Sequence, residues 1–290
     1  MTPSDQLSVV FSDRMVARDQ GYSPSAGKPA QVVADWQAHG LPLRLIEPEP
    51  VTVDQFALAH SRTYVEAVLG LRCANGFGTV SQEVADSLPY TTGALLTAAR
   101  LALRERGAVC APCSGFHHAH WDRNWGFCTF NGLMVTARCL LTERSARRVA
   151  ILDCDQHFGD GTEGILKRLG NPPEIRHFSA GGQFNRSYQV PQFWEVLDEE
   201  LSAMAECDVL LYQAGADPHV EDPLGGWLTT EELRERDARV FEAAARGRLP
   251  IVWDLAGGYQ RDANGGIAPV LEIHRNTARE HLRVFGAEKR

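Results

Sequence analysis

Along the second half of the chain, short unbroken apolar runs alternate with longer stretches that read as helices. Arg148-Val149-Ala150-Ile151-Leu152, Asp208-Val209-Leu210-Leu211-Tyr212 and Pro250-Ile251-Val252-Trp253 read as buried strands, with a weaker fourth at 174–178. Helices are expected over 161–169, 193–207 and 230–246. Strands without polar alternation, separated by helices, predict a mostly parallel sheet covered on both faces, with right-handed crossovers. The first half predicts a short strand at 8–11 and helices over 29–38, 53–60, 61–69 and 92–106. Pro29 lies near the start of the first of these helices and Gly40 just past its end. Asp54 and Ser61 are candidate N-caps for the next two. Residues 110–127 lack periodicity and are rich in His, Trp and Gly, which predicts a long surface loop of the kind that often carries function. The expected fold class is α/β: one domain over 1–290, three layers deep, with helices on either side of the sheet.

Composition narrows the function classes. The chain has 290 residues, 44% hydrophobic, enough for one large core. A net charge of −8 argues against a basic face for nucleic acid. No run approaches the roughly 20 apolar residues of a membrane span. The N-terminal Met1-Thr2-Pro3-Ser4-Asp5-Gln6 lacks the basic and apolar regions of a secretory leader. The cysteine count of 7 is odd and the residues are scattered, which suits reduced thiols better than a disulfide framework. A cytoplasmic location is the resulting expectation.

The chemistry gathers where the strands end. In open α/β sheets, ligands bind beyond the carboxyl ends of the strands. There the chain places Asp153-Cys154-Asp155-Gln156-His157, then Gln213-Ala214-Gly215-Ala216-Asp217, then Asp254 followed by Gly257-Gly258-Tyr259. An extended backbone has a side-chain period of two, so Asp153, Asp155 and His157 are expected to point to one side. Two carboxylates and an imidazole packed this closely call for a cation. Their oxygen and nitrogen donors suit zinc or iron(II) better than calcium. The alternative is a capped strand end with Asp153 in a turn. Asp217 is the natural third ligand, or else an N-cap or Asx-turn residue before Pro218. His117 and His118 sit in the long loop. One could serve as a base, with Asp153 or Asp160 fixing its tautomer, unless both are merely exposed. Tyr259 follows two glycines that could aim its phenol into a cleft, or it packs in the core.

These residues, taken in order, resemble the histone deacetylase family, which includes acetylpolyamine amidohydrolases and acetoin-utilisation proteins and shares the arginase-like α/β fold. The resemblance rests on Gly115-Phe116-His117-His118, Gly126-Phe127-Cys128, the run from Asp153 through Gly161, Gly215-Ala216-Asp217 and Gly257-Gly258-Tyr259. Gln156, Arg176-His177 and Gln260 look most like the class IV branch, while Asp222-Pro223-Leu224-Gly225 looks like the wider family's pattern. The resemblance implies that Asp155, His157 and Asp217 hold a catalytic zinc or iron(II). It implies that His118 is the general base and acid, with His117 its electrostatic partner and Asp153 and Asp160 the acids behind them. Tyr259 would polarise the carbonyl. Phe127 would line an acyl tunnel, with Gly126 letting substrate backbone pass. A potassium ion on the backbone of 153–157 is a further implication.

The implied reaction is hydrolysis of an acyl-lysine or a small acylated amine. The alternatives are an acetylpolyamine or other acylamide as substrate, or a catalytically silent acyl-binding scaffold. One departure concerns the rim. Where many relatives carry an Asp that binds substrate backbone, this chain reads Asp86-Ser87-Leu88-Pro89-Tyr90, with Ser87 the nearer match. Trp121 and Trp125 could narrow the mouth. Cys110 and Cys113 form a CxxC, but they precede the His loop rather than open a helix, and are read as structural thiols. His219 either borders the pocket or faces solvent. The charged run Glu231, Glu232, Arg234, Glu235, Arg236 reads as a solvated helix face.

Overall fold

The structure is a computed structural model that describes residues 6–18 and 21–286; the residues before Gln6, on which most of the leader reading rests, lie outside it. In chain order the elements are β1 (Leu7–Val10), α1 (Lys28–Ala38), β2 (Leu43–Ile46), α2 (Val53–Phe56), α3 (Arg62–Leu69), α4 (Gln82–Glu105), β3 (Ala108–Cys110) and α5 (Gly132–Thr142). They continue with β4 (Val149–Asp153), α6 (Asp160–Arg168), β5 (Ile175–Ser179), α7 (Val190–Met204), β6 (Val209–Gln213), α8 (Thr230–Gly247), β7 (Ile251–Asp254) and α9 (Ala268–Phe285). The strands form a 7-stranded sheet in the order β2-β1-β3-β7-β6-β4-β5. Every pairing in it is parallel.

The unbroken apolar strands follow from burial on both faces. In β4, Ala150 and Leu152 join a core with Trp36, Phe193, Phe241 and Trp253. Their neighbours Val149 and Ile151 join a second core with Phe56, Leu95, Phe130 and Leu140 on the other face. Strand β6 divides in the same way, with Leu210 and Tyr212 on one side and Val209 and Leu211 on the other. Helices α1, α7, α8 and α9 cover the first face, and α2 to α6 the second. None of the helices among the described residues is long and apolar enough to cross a membrane.

Several elements depart from the sequence reading. Helix α4 begins ten residues before the predicted 92 and runs through Pro89, with Ser81 capping its start by accepting from the Val84 amide. The Asp86–Tyr90 stretch is therefore helix rather than a rim loop. The Ser87 hydroxyl is turned inward and donates to Val84 O at 2.8 Å, while Asp86 takes the Gln82 amide at 2.7 Å. Helix α2 stops at Phe56, and its cap is Thr52, in a reciprocal capping box with Gln55, rather than Asp54. Ser61 is the N-cap of α3 but contributes no side-chain bond. Strands β2 and β3 and helices α5 and α9 were not predicted. The 110–127 segment is irregular beyond Cys110 as expected, yet its first part is packed inside, and it comes to the surface only toward its end, where Asp122, Arg123 and Trp125 are exposed. Cys110, Ala111, Cys113, Phe116, His117 and Ala119 are all buried. Its backbone is satisfied by bonds such as Ala111 N to Trp253 O and Phe116 N to the Gln213 side chain.

The candidate metal centre and the cavity above it

One row of residues crosses the carboxyl edge of the sheet in register: Ser179 beside Asp153, Asp153 beside Gln213, and Gln213 beside Asp254. Asp153 is the last residue of β4, and the extended backbone ends there. The chain then turns twice on its own acids. Asp155 N donates to Asp153 Oδ1 at 3.1 Å, and His157 N donates to Asp155 Oδ1 at 2.9 Å. Two-residue alternation therefore does not hold past Asp153, and its carboxylate departs from the other two. It accepts from His117, Ser179 and Gln213 as well as from Asp155 N. Asp153 therefore takes the turn role, and Asp155 and His157 remain the candidate metal ligands of this segment.

Asp155 and His157 instead meet Asp217, which follows β6. One ligand atom from each lies within 4.8 Å of the others. The His157 Nδ1 atom is 3.1 Å from Asp155 Oδ1 and 3.0 Å from Asp217 Oδ2. The Asp217 side chain is fully buried, and its Oδ2 has no hydrogen-bond donor. Gly257 makes this approach possible: it holds φ +55, and a Cβ there would lie 2.3 Å from the Asp217 carboxylate carbon.

Two carboxylates at this depth demand positive charge, and within the protein the demand falls on imidazole. The Asp155 and Asp217 carboxylates beside its ring push His157 up to about 11. Burial raises Asp217, whereas His117 and His157 outweigh burial to hold Asp155 low. A donorless buried oxygen, a second carboxylate and an imidazole nitrogen converging on one point fit a divalent transition cation.

The two loop histidines have separate partners. His117 Nδ1 lies 2.7 Å from Asp153 Oδ2, and His118 Nδ1 lies 2.6 Å from Asp160 Oδ1. Burial opposes charge on His117, but Asp153 and Asp155 overcome it and lift the pKa to about 9. Burial, and then the charge of His117, lower His118. The Tyr259 phenol is pushed well up by burial and by Asp217, so it stays protonated. Its amide is fixed by Asp222 Oδ2 at 2.7 Å.

A cavity of about 580 Å³ opens above these groups. His117, His118, Asp155, His157, Gly126, Phe127 and Tyr259 all line it, together with Phe77, Trp125 and Leu224. Gly126 (φ +52) is pressed against the His118 ring, where a Cβ would come within 2.3 Å of it. Trp125 stands at the mouth, 62% exposed. Trp121 packs beneath, with Arg168 over its ring. Ser87 and Asp86 are absent from the wall of this cavity. His219 neither borders it nor faces solvent; it is buried, held by the Thr230 hydroxyl at 2.9 Å and accepting from the Glu221 amide. All seven cysteines are free thiols. Cys110 and Cys113 are fully buried with their pKa values driven well up by burial, which fits structural thiols.

Three residues near the site were not singled out from sequence. Lys28 is fully buried, and its ammonium donates to Gly257 O; burial lowers its pKa to about 8 against the pull of Asp217, Asp155 and Asp254. Tyr22 stacks on Phe127 at 6.4 Å and on Tyr259 at 6.1 Å between ring centroids. His120 Nε2 lies 3.3 Å from Asp160 Oδ2, so Asp160 serves two histidines. Arg236, read as part of a solvated face, is completely buried.

The chain is similar to several known proteins along most of its length. The chain is 28% identical over 222 residues to histone deacetylase 2 of Arabidopsis thaliana, covering 70% of this chain and 56% of that protein. It is 30% identical over 209 residues to acetylpolyamine amidohydrolase 1 of Pseudomonas aeruginosa, covering 62% of this chain and 58% of that one. A probable deacetylase of Methanothermobacter thermautotrophicus matches at 25% over 284 residues, covering 85% and 83%. Among solved structures, the HDA15 HD domain superimposes with a TM-score of 0.77 at 19% identity, over 97% of this chain and 91% of that one. An acetylpolyamine aminohydrolase from Burkholderia pseudomallei gives 0.71 at 20% identity, over 97% and 99%. These two establish the shared fold. The histone deacetylase domain itself matches residues 25–184 and 174–271, a span that takes in every residue of the centre described above, and the chain belongs to that family.

Proposed function

We propose that this chain is a metal-dependent amidohydrolase that removes an acyl group from an acyl-lysine or a related acylated amine. One observation carries the reading: two adjacent histidines of opposite protonation preference line the same cavity as Asp155, His157 and the Tyr259 phenol, with the Asp217 carboxylate buried against His157. Asp155, His157 and Asp217 would hold zinc or iron(II). Such a cation would polarise the amide carbonyl and acidify a water molecule.

The remaining work falls to side chains. His118, kept neutral, presents Nε2 as the proton acceptor while Asp160 takes the hydrogen on Nδ1. His117, kept charged between Asp153 and Asp155, stabilises negative charge as it builds. Tyr259 donates its phenolic hydrogen to the substrate oxygen. His118 then returns its proton to the leaving amine. Phe127, with Gly126 beside it, forms the wall along which the acyl-bearing arm lies.

Acetylpolyamine, named in two of the relatives, is the second substrate considered. A polyamine brings extra ammonium groups, which need carboxylates at the rim. Among the described residues lining the cavity, the sole carboxylate is Asp155, and the upper wall is Phe77, Trp125, Phe127 and Leu224. This supports acyl-lysine over a polycation. The silent-scaffold alternative lacks support, because the whole set of chemical groups is present. The test is a panel of acyl-lysine peptides from acetyl to long-chain acyl, with acetylated polyamines, assayed with and without chelator. Chelator-sensitive turnover of acyl-lysine is expected. Turnover indifferent to chelator would overturn the reading, and turnover confined to polyamines would overturn the choice of acyl-lysine.

A further inference from the structure

We infer that Arg236 is a positioning residue for the metal centre, a staple that fixes the two ligand-bearing loops against each other from beneath; the inference rests on the metal reading above. Arg236 lies on α8 with none of its surface exposed. Its Nη1 donates to two backbone carbonyls, Gly215 O at 2.7 Å and Cys154 O at 3.2 Å. Cys154 immediately precedes the ligand Asp155, and Gly215 lies two residues before the ligand Asp217. One nitrogen therefore ties together the loops that follow β4 and β6.

Both carbonyls lie past the last paired residues of their strands, Asp153 and Gln213. The amides around them are already committed, Cys154 N to Gln213 O and Ala216 N to Ala256 O. Without the guanidinium these buried carbonyls would lose this donor. The loops also touch: a Cβ on Gly215 would lie 2.6 Å from Asp155 Cα and 2.7 Å from Cys154 O. Removing the staple frees two loops whose relative position sets where Asp155 and Asp217 point.

The rest of the network serves to aim this arginine. Asp237 Oδ1 accepts Arg236 Nε at 2.9 Å and the Tyr212 hydroxyl at 2.5 Å, and its Oδ2 accepts the Thr277 hydroxyl at 2.6 Å. Strand β6, helix α8 and helix α9 thus meet at one ion pair. A buried ion pair is a poor way to gain stability, since desolvation consumes most of the attraction. What it provides is direction: a planar fork anchored on one side by Asp237 and spanning two carbonyls on the other. The pair is neutral as a unit, so its influence on the metal is geometric.

The test measures zinc and cobalt binding to the full chain by chelator competition, together with the visible absorption of the cobalt form. Arg236→Met should weaken both metals ~10-fold to 100-fold, the range for lost outer partners of a metal site, and should alter the cobalt absorption. Arg236→Lys keeps the charge but loses the fork, and should fall between. Val240→Ala, four residues on in the apolar core, controls for simple destabilisation: its melting temperature should fall with no change in metal affinity. Should Arg236→Met not fold, Arg236→Lys reads the same quantity. Wild-type affinity and an unchanged cobalt spectrum in the folded Arg236 variants would overturn the assignment. So would an equal loss of affinity in Val240→Ala. A wild-type chain that takes up neither metal would instead overturn the functional reading itself.

Discussion

His117 and His118 are neighbours in sequence with ring centroids 4.1 Å apart, yet each is tied to a different carboxylate, Asp153 and Asp160. The two rings lie side by side, tilted 49° to one another, and each Nδ1 reaches its own acid. The two acids come from the end of β4 and the start of α6, seven residues away from each other. The pair can then divide its labour, because charge on His117 is one of the forces that keep His118 neutral.

That division predicts a pH profile. Activity needs neutral His118, so it falls as pH drops through the His118 pKa, which burial and His117 hold below the ordinary 6.5. The carboxylate of Asp160 raises the His118 pKa from this low position. Asp160→Asn should therefore lower kcat by roughly 10-fold to 100-fold and move the acid limb of the kcat/KM profile to still lower pH. A limb that stays in place or moves up would show that another group governs it.

Tyr259→Phe removes the phenolic hydroxyl and little else, because the hydrogen bond from its backbone N–H to Asp222 and the ring contact with Phe127 survive. Metal content should be unchanged. The expected loss in kcat is on the order of 10² to 10³, typical of one missing donor to a developing oxyanion. Steady-state kinetics with metal analysis on one preparation check both halves, and wild-type turnover would remove Tyr259 from the reaction.

The proposed ligands and the buried cations around them differ in how well the sequence announces them. Asp155, His157 and Asp217 follow strands that are unmistakable as unbroken apolar runs, and strand ends are where α/β sheets collect polar groups. Arg236 and Lys28 give no such signal. A cation within a charged helical run, as Arg236 is, looks solvated by local pattern, and only tertiary packing puts it inside. The N-terminal half of α4 was hidden by Pro89, which ordinarily ends a helix. Strand β3 has 3 residues and β2 is a half-exposed edge of 4, both too short for periodicity to register. Tyr22, from a segment with no regular structure, stacks on two cavity residues far along the chain, Phe127 and Tyr259.

Gly257→Ala should be costly for two separate reasons. A Cβ in the left-handed region costs about 1 to 2 kcal/mol, and Gly257 holds φ +55. The same Cβ overlaps the Asp217 carboxylate and would push a ligand away from His157. The prediction is a lowered melting temperature together with weakened zinc binding. A variant that loses stability but keeps its zinc affinity would mean that Asp217 can shift without harm to the centre.

Lys28 links the centre to global stability. Its ammonium donates to Gly257 O inside the protein, and burial brings its pKa from 10.5 to about 8. At neutral pH the folded chain therefore carries a charge it holds about 3 kcal/mol less favourably than the unfolded chain does. Between the folded value near 8 and the unfolded value near 10.5, the unfolded chain keeps the proton and the folded chain has released it. Stability from this group thus rises with pH across that window. Lys28→Met lacks the titration. The unfolding free energy of the wild-type chain minus that of Lys28→Met should increase steadily from pH 8 to pH 10, measured by urea unfolding with chelator present. Parallel curves over that range would mean that Lys28 titrates alike in both states and is not held as deeply as its packing indicates.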